Sequence, residues 1–343
     1  MPPLYIVEQG AKLSRESERL LVSRDDEVLV RVPLIKVSQV LIFGAVQITT
    51  QALRLCLDNG IEVVYLDQHG RYWGRMVGPE TKTGERRLAQ YQRASDSAFK
   101  LALAQRVVAG KLCNMRTILQ RRNRDTRDAE ISGVVDKLGD TLERVRRTTT
   151  INSLRGVEGS AAALYFGVFK RLFDGDWPFS GRVRRPPTDP LNVLLSFGYT
   201  LLQHNVWSAV HTVGLDPYIG FLHEPVHGRP SLALDLMEEY RPVVVDSLVM
   251  KVCNQGLLSP QNFRKSDDVE RPILLDEVGR KRFVREFEAR LEQTSIYQRP
   301  AILLDGGQAE EHVTCRRSIE LQVRHLAGCL RMGTAEYEPF TVR

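Results

Sequence analysis

Scarcity narrows this sequence first. Its 343 residues hold five cysteines, Cys56, Cys113, Cys253, Cys315 and Cys329, widely scattered and without a CxxC pair. That excludes a disulfide framework and a structural zinc site, and predicts reduced, mostly buried thiols. No stretch approaches the roughly 18 consecutive apolar residues of a membrane span. The start, Met1-Pro2-Pro3-Leu4-Tyr5, lacks the basic and apolar regions of a signal peptide, so an intracellular protein is expected. Neither a phosphate-cradling glycine loop nor a nucleophile-elbow serine occurs, which leaves nucleotide hydrolysis and acyl transfer without support. Internal repeats and low-complexity tracts are also missing.

What is present is the composition of a folded, globular chain, 43% hydrophobic and 26% charged, long enough for two domains. The charge is unevenly distributed. Residues 1–85 carry 10 basic and 11 acidic side chains, residues 86–190 carry 21 and 11, and residues 191–343 carry 17 and 20. The middle segment therefore holds a net +10 between nearly neutral flanks. A concentrated basic block suits a phosphate-bearing partner, because neutralised phosphates release counterions. A solvated helix face accounts for the same charge equally well.

The first part reads as strands: residues 4–7, 19–23, 27–32, 37–43 and 62–66 are short and rich in Val, Ile, Leu and Tyr. Arg24-Asp25-Asp26 has the chemistry of a hairpin turn. A helix from Thr50 to Leu57 starts at an N-cap threonine and stops at Asn59-Gly60. Residues 71–77 form a last strand before Gly78-Pro79, and residues 80–85 a linker. Beyond it the apolar spacing turns helical, as in Leu101, Ala104, Val108, Leu112 and Met115. Helices are expected over 86–147, with a polar loop at 121–128, and over 152–173, 191–212, 231–252, 281–297 and 308–330. The fold class is α+β: a β-rich, β-sandwich-like domain over 1–79, then an all-α domain over 86–332 and a tail over 333–343.

Three constellations carry chemistry. Glu158 lies in Arg155-Gly156-Val157-Glu158-Gly159-Ser160-Ala161, on a helix surface that another backbone can approach closely; a surface glutamate beside tight helix packing fits the same pattern. Gly214-Leu215-Asp216-Pro217-Tyr218-Ile219-Gly220-Phe221-Leu222-His223 is a shaped connection ending on a histidine, a metal ligand or proton-transfer group. A structural hydrogen bond would occupy it as well, and His227 competes for any role. In Leu234-Asp235-Leu236-Met237-Glu238-Glu239-Tyr240-Arg241-Pro242, Asp235 and Glu238 are three apart on one helix face, suited to a hard cation such as Mg²⁺ or Mn²⁺. Exposed acids paired with Arg241 are the plain alternative. The pairs His204/His211 and His312/Cys315 lack the further ligands a metal site needs.

Taken in order, the motifs resemble the Cas-one family, the metal-dependent CRISPR adaptation integrase. They are Arg155-Gly156-Val157-Glu158-Gly159, Arg184-Arg185-Pro186-Pro187-Thr188-Asp189-Pro190-Leu191-Asn192 with Leu195-Ser196-Phe197-Gly198-Tyr199, Gly214 to Pro217 with Gly220 to His223, and Asp235 to Glu238 with Arg241-Pro242. The resemblance implies that Glu158, His223 and Glu238 ligate Mg²⁺ or Mn²⁺ with Asp235 close by, Glu238 standing where many relatives carry Asp. His223 is expected to assist proton transfer as well. It also implies a cytoplasmic, prokaryotic endonuclease and integrase of antiviral spacer acquisition, which joins 3′-hydroxyl ends of a double-stranded DNA protospacer to CRISPR repeats. The β-rich domain would form a homodimer, and two dimers would assemble with the Cas-two protein. Arg184 and Arg185 are expected DNA contacts. A non-catalytic DNA scaffold and a repair nuclease remain the alternatives.

Overall fold

The computed structural model describes residues 2–68, 70, 72–78, 84–298, 300 and 310–342. Two compact units divide the chain, Met1–Lys82 and Thr83–Arg343. The first contains β1 (Leu4–Ile6), β2 (Lys12–Glu16), β3 (Arg19–Arg24), β4 (Glu27–Pro33), β5 (Gln39–Phe43), β6 (Gln47–Ile48), α1 (Thr50–Asp58), β7 (Glu62–Leu66) and β8 (Tyr72–Met76). They form two four-stranded sheets, ordered β4-β3-β2-β6 and β1-β5-β7-β8. β5 and β7 run parallel, a pairing that needs a crossover, and α1 lies in that crossover. Leu13, Leu20 and Val22 of one sheet, Val40, Ile42 and Val63 of the other, and Ala52, Leu55 and Cys56 of α1 share one core.

Local chemistry sets the boundaries. Asp25 and Asp26 both adopt positive φ, 48° and 63°, as a two-residue hairpin requires, and Arg24 pairs with Glu27. Thr49 caps α1 by accepting the Ala52 N–H at 3.2 Å, one residue before the expected cap, and Gly60 follows the helix at φ 68°. β2 and β6 escape the sequence reading because pairing, not pattern, defines them. β2 buries one large apolar residue, Leu13, and β6 is two residues long.

The second unit is largely helical, as expected. It contains α2 (Gly84–Ser95), α3 (Ser97–Thr126), α4 (Ala129–Arg146), α5 (Ile151–Val168), α6 (Pro190–Val213), α7 (Ser231–Met237), α8 (Ser247–Asn254), α9 (Glu277–Glu292) and α10 (Cys315–Met332). It is not all-α: β9 (Phe263–Lys265) pairs with β10 (Ile273–Leu275), and β11 (Thr294–Gln298) with β12 (Glu310–Thr314). The loop expected at 121–128 is mostly helix, since α3 continues to Thr126, ends on Arg127 at φ 50°, and yields to α4 capped by Asp128. The helix expected over 231–252 is interrupted by a π-helical turn, Arg241–Asp246, opened by Pro242, which has no N–H to donate. The helix expected over 281–297 stops at Glu292, and Tyr297 lies in β11. Of the linker, residues 80–83 lie outside the described residues and Gly84-Glu85 open α2; residues 71, 308 and 309 of the expected elements are likewise outside them.

α6 buries residues on nearly every side, among them Leu194, Leu195, Leu201, Val206 and Val210, as a central helix does. α3 carries a long apolar face that includes Leu103, Val107, Leu112, Met115 and Leu119. Two polar residues interrupt that face, Lys111 and Asn114, and both are buried, so each needs a partner. All five thiols are free and four are buried.

Candidate functional site

Lys111 is where the three constellations begin to meet. Its ammonium pairs with Glu158 Oε1 from α5 and lies 2.6 Å from Glu238 Oε2, just past the end of α7. Lys111 and Glu238 side chains are 5% and 6% exposed, and Glu158 is 22% exposed. Arg241 Nε approaches Glu238 Oε1 at 3.2 Å. Burial pushes the Glu238 carboxyl up, but Arg241 and Lys111 outweigh it and bring it to about 2. Burial likewise works against the Lys111 charge, and the two glutamates overcome it and raise that group. The expected close backbone approach at the glycines beside Glu158 is not seen: a side-chain carbon at Gly156 or Gly159 would meet nothing within 4 Å.

His223 is placed by Asp235. The Asp235 Oδ2 accepts the backbone N–H groups of Phe221 and Leu222 at 2.5 and 3.0 Å. Its Oδ1 accepts the N–H of His223 at 2.9 Å and faces the ring Nδ1 at 2.7 Å. A carboxylate there keeps the proton on Nδ1 and leaves Nε2 as the free lone pair. Gly220 is required at this corner, because a Cβ would stand 2.8 Å from Asp235 Oδ2, His223 O and Ser231 C alike. Arg155 holds the loop from α5, donating to Leu222 O at 3.0 and 2.7 Å. Gln90 of α2, fully buried, holds its start by donating to Asp216 O and Ile219 O and accepting from Asp216 N, each at 2.8 Å.

Asp235 and Glu238 thus play different parts. Asp235 faces four N–H groups of the loop, whereas Glu238 faces Lys111 and Arg241; both are buried, unlike the exposed acids of the plain alternative. Among the described residues no three His, Cys, Asp or Glu side chains stand ready-made around an ion. The donor chemistry nevertheless fits a hard cation: two carboxylates converge on one buried positive charge, near an imidazole whose other nitrogen is oriented.

Behind Arg241 lies a second polar layer. Its guanidinium sits 4.7 Å from the Tyr199 ring centre, and Tyr199 donates to Asp246 Oδ1 at 2.6 Å while Tyr165 donates to Oδ2 at 3.0 Å. Burial pushes Asp246 up to about 6 despite those donors. Arg182 lies 5.4 Å from the same ring and donates to Asn192 Oδ1 at 2.7 Å. Arg184 and Arg185 are exposed on the segment before α6, and His227 is exposed. His204 is buried against Trp207, and His312 and Cys315 sit where β12 meets α10, in no group of three metal-type ligands among the described residues. Lys111 and Gln90 belong to none of the sequence motifs, and Arg155 belongs to one without an expected role. For Lys111 a signal existed, since position 111 falls on the stripe of Ala104, Val108 and Met115.

Known proteins match this chain over most of its length. The family model described as CRISPR associated protein Cas1 matches residues 4–289. A CRISPR-associated endonuclease Cas1 of Thermus thermophilus is 38% identical over 342 residues, 99% of this chain and 97% of that protein. A solved casposase bound to integration product aligns with TM-score 0.84 at 25% identity, covering 99% of this chain and 93% of that one. The Cas6-RT-Cas1–Cas2 complex contains a chain matched at TM-score 0.83 and 26% identity, of which this protein covers 36% while being itself covered to 99%. Matched by the family model over residues 4–289 and by the Thermus thermophilus relative over 99% of its length, the chain belongs to the Cas1 family of CRISPR-associated proteins.

Proposed function

We propose that this chain is a metal-dependent DNA integrase and endonuclease of CRISPR adaptation, joining the 3′-hydroxyl ends of a short duplex to CRISPR repeats by transesterification. The observation that carries this reading is the convergence of Glu158 and Glu238 on Lys111, with His223 oriented by Asp235. Relatives named endonucleases, and a structural neighbour holding an integration product, support it. Glu158, Glu238 and His223 Nε2 would hold Mg²⁺ or Mn²⁺, which when bound polarises a phosphoryl oxygen and stabilises the entering or leaving oxygen of an in-line displacement.

The protein's own groups do the rest. Asp235 keeps the His223 proton on Nδ1, so the ring offers a lone pair at Nε2 and swings little. Arg241 partly neutralises Glu238, and the Tyr199 ring beneath fixes the guanidinium. A 3′-hydroxyl attacks the target phosphodiester, a repeat 3′-hydroxyl departs, and no covalent enzyme intermediate is needed; water in place of the hydroxyl gives cleavage. The exposed Arg184 and Arg185 contact the DNA. The β-rich unit forms the homodimer, two of which assemble with Cas2.

One observation favours a second reading, a non-catalytic DNA scaffold: the two glutamates already have cationic partners in Lys111 and Arg241. A strand-transfer assay with duplex and repeat DNA separates the two. Joining that requires Mg²⁺ or Mn²⁺ and is lost in Glu158→Gln and His223→Ala, with duplex binding retained, is expected. Chelator-insensitive joining, or full activity in either variant, overturns the assigned site. Cleavage without preference for repeat ends would mark a repair nuclease instead.

A further inference from the structure

Lys111 stands in the middle of the candidate centre yet has the burial of a core residue. Its side chain is 5% exposed, on the apolar face of α3 between Val108 and Leu112. A DNA phosphate cannot reach an ammonium so enclosed while the ammonium stays where it is. The other buried polar residue of that face serves a different end. Asn114 donates to Glu239 O and Phe340 O and accepts from Val342 N, tying down the C-terminal segment. Lys111 instead faces Glu158 and Glu238.

Counting formal charges, Glu158 and Glu238 are balanced by Lys111 and Arg241. The carboxylates are thereby held together without repelling each other. An arriving divalent cation, however, finds both glutamates already balanced and must compete with an ammonium for both. We propose that Lys111 is the site's resident counter-charge, a positioning residue that competes with the divalent cation and is released from the two glutamates when a DNA phosphate arrives to receive its charge. This rests on the proposed cation site and adds its regulation. Cation and DNA binding become mutually reinforcing, and by thermodynamic linkage each raises the affinity of the other by the same factor.

The test measures Mn²⁺ binding by the electron paramagnetic resonance of free Mn²⁺, without and with a short DNA duplex, in wild type, Lys111→Met and Lys111→Gln. Circular dichroism reports folding, and the polar Gln variant serves where Met does not fold. Without DNA, the neutral variants are expected to bind Mn²⁺ at least about tenfold more tightly, since one positive charge has left a poorly solvated cluster. Their melting temperatures should be lower than that of wild type and rise more on adding Mn²⁺. DNA should tighten Mn²⁺ binding in wild type and do so markedly less in the variants. A folded variant that binds Mn²⁺ equally or more weakly overturns the proposal, as does an unchanged DNA effect. Failure of the underlying cation site reads differently: wild-type Mn²⁺ binding would then be indifferent to Glu158→Gln.

Discussion

One oxygen of Asp235 faces His223 twice, accepting its backbone N–H at 2.9 Å and meeting its ring Nδ1 at 2.7 Å. The other oxygen accepts from Phe221 and Leu222, so both carboxylate oxygens point at donors. Asp235→Asn keeps the size but turns an amide NH₂ toward at least one of them. Leaving buried donors unpaired costs about 3 kcal/mol here, and freeing the ring weakens Mn²⁺ binding by roughly 10- to 100-fold. Urea denaturation and Mn²⁺ titration of the variant measure both; wild-type Mn²⁺ affinity in Asp235→Asn would refute the orienting role.

Two glycines of the family motifs should respond oppositely to alanine. At Gly220 a Cβ would stand 2.8 Å from two groups of the backbone and from Asp235 Oδ2, none of which can yield without moving the His223 loop. Gly220→Ala should therefore cost about 1–3 kcal/mol and reduce DNA joining. At Gly156, inside α5, a Cβ meets nothing within 4 Å. Gly156→Ala should raise stability by roughly 0.5–1 kcal/mol through helix propensity. Denaturation midpoints decide, and a stable Gly220→Ala would contradict the packing of that corner.

These residues also show what the sequence could convey. Glu158, His223, Asp235 and Glu238 were legible because each is an acid or imidazole set among glycine and apolar neighbours, where a polar group needs a reason. The division of labour between Asp235 and Glu238 was not, because helical spacing gives a shared face but not that a loop would lay three N–H groups on one of them. Lys111 lies in a helix rich in lysine and arginine, where only its place on the apolar stripe sets it apart from the other cations. Gln90 acts on a loop 126 residues away in sequence, a distance that no local pattern spans. Strand Thr294–Gln298 follows α9 without a glycine or proline between them, so the apolar spacing alone carried the expected helix too far.

Binding of duplex DNA should depend steeply on salt. The basic excess of residues 86–190 surfaces as exposed side chains, including Arg124, Arg127, Arg144, Arg147, Arg184 and Arg185. Each phosphate neutralised contributes about −0.9 to the slope of log affinity against log salt. The double variant Arg184→Ala/Arg185→Ala should flatten that slope by about 1–2 and weaken binding uniformly across sequences. Fluorescence anisotropy at graded salt tests it, and an unchanged slope would remove both arginines from the DNA contact.

His325 supplies a pH dependence whose sign can be worked out. It is 1% exposed, stacked 5.0 Å from Tyr337, and its Nε2 accepts the Glu338 N–H at 2.9 Å, so it is folded as neutral imidazole. Burial pushes it down to about 4. Between its unfolded value near 6.5 and 4 the unfolded chain binds a proton that the folded chain does not, so its contribution is complete above pH ~6.5 and is lost as pH falls toward 4. Two buried acids tilt the other way: burial raises Asp246 to about 6 and Glu239 to about 8, so folding retains their protons and loses that advantage as pH rises. The raw stability curve therefore mixes opposing slopes. The difference between wild type and His325→Asn, whose amide oxygen can still accept from Glu338, isolates the histidine. That difference should be flat above pH ~7 and move against wild type by up to about 3 kcal/mol on acidification toward pH ~4. Urea titrations of both proteins across that range measure it, and a difference independent of pH would show that His325 is not held neutral by the fold.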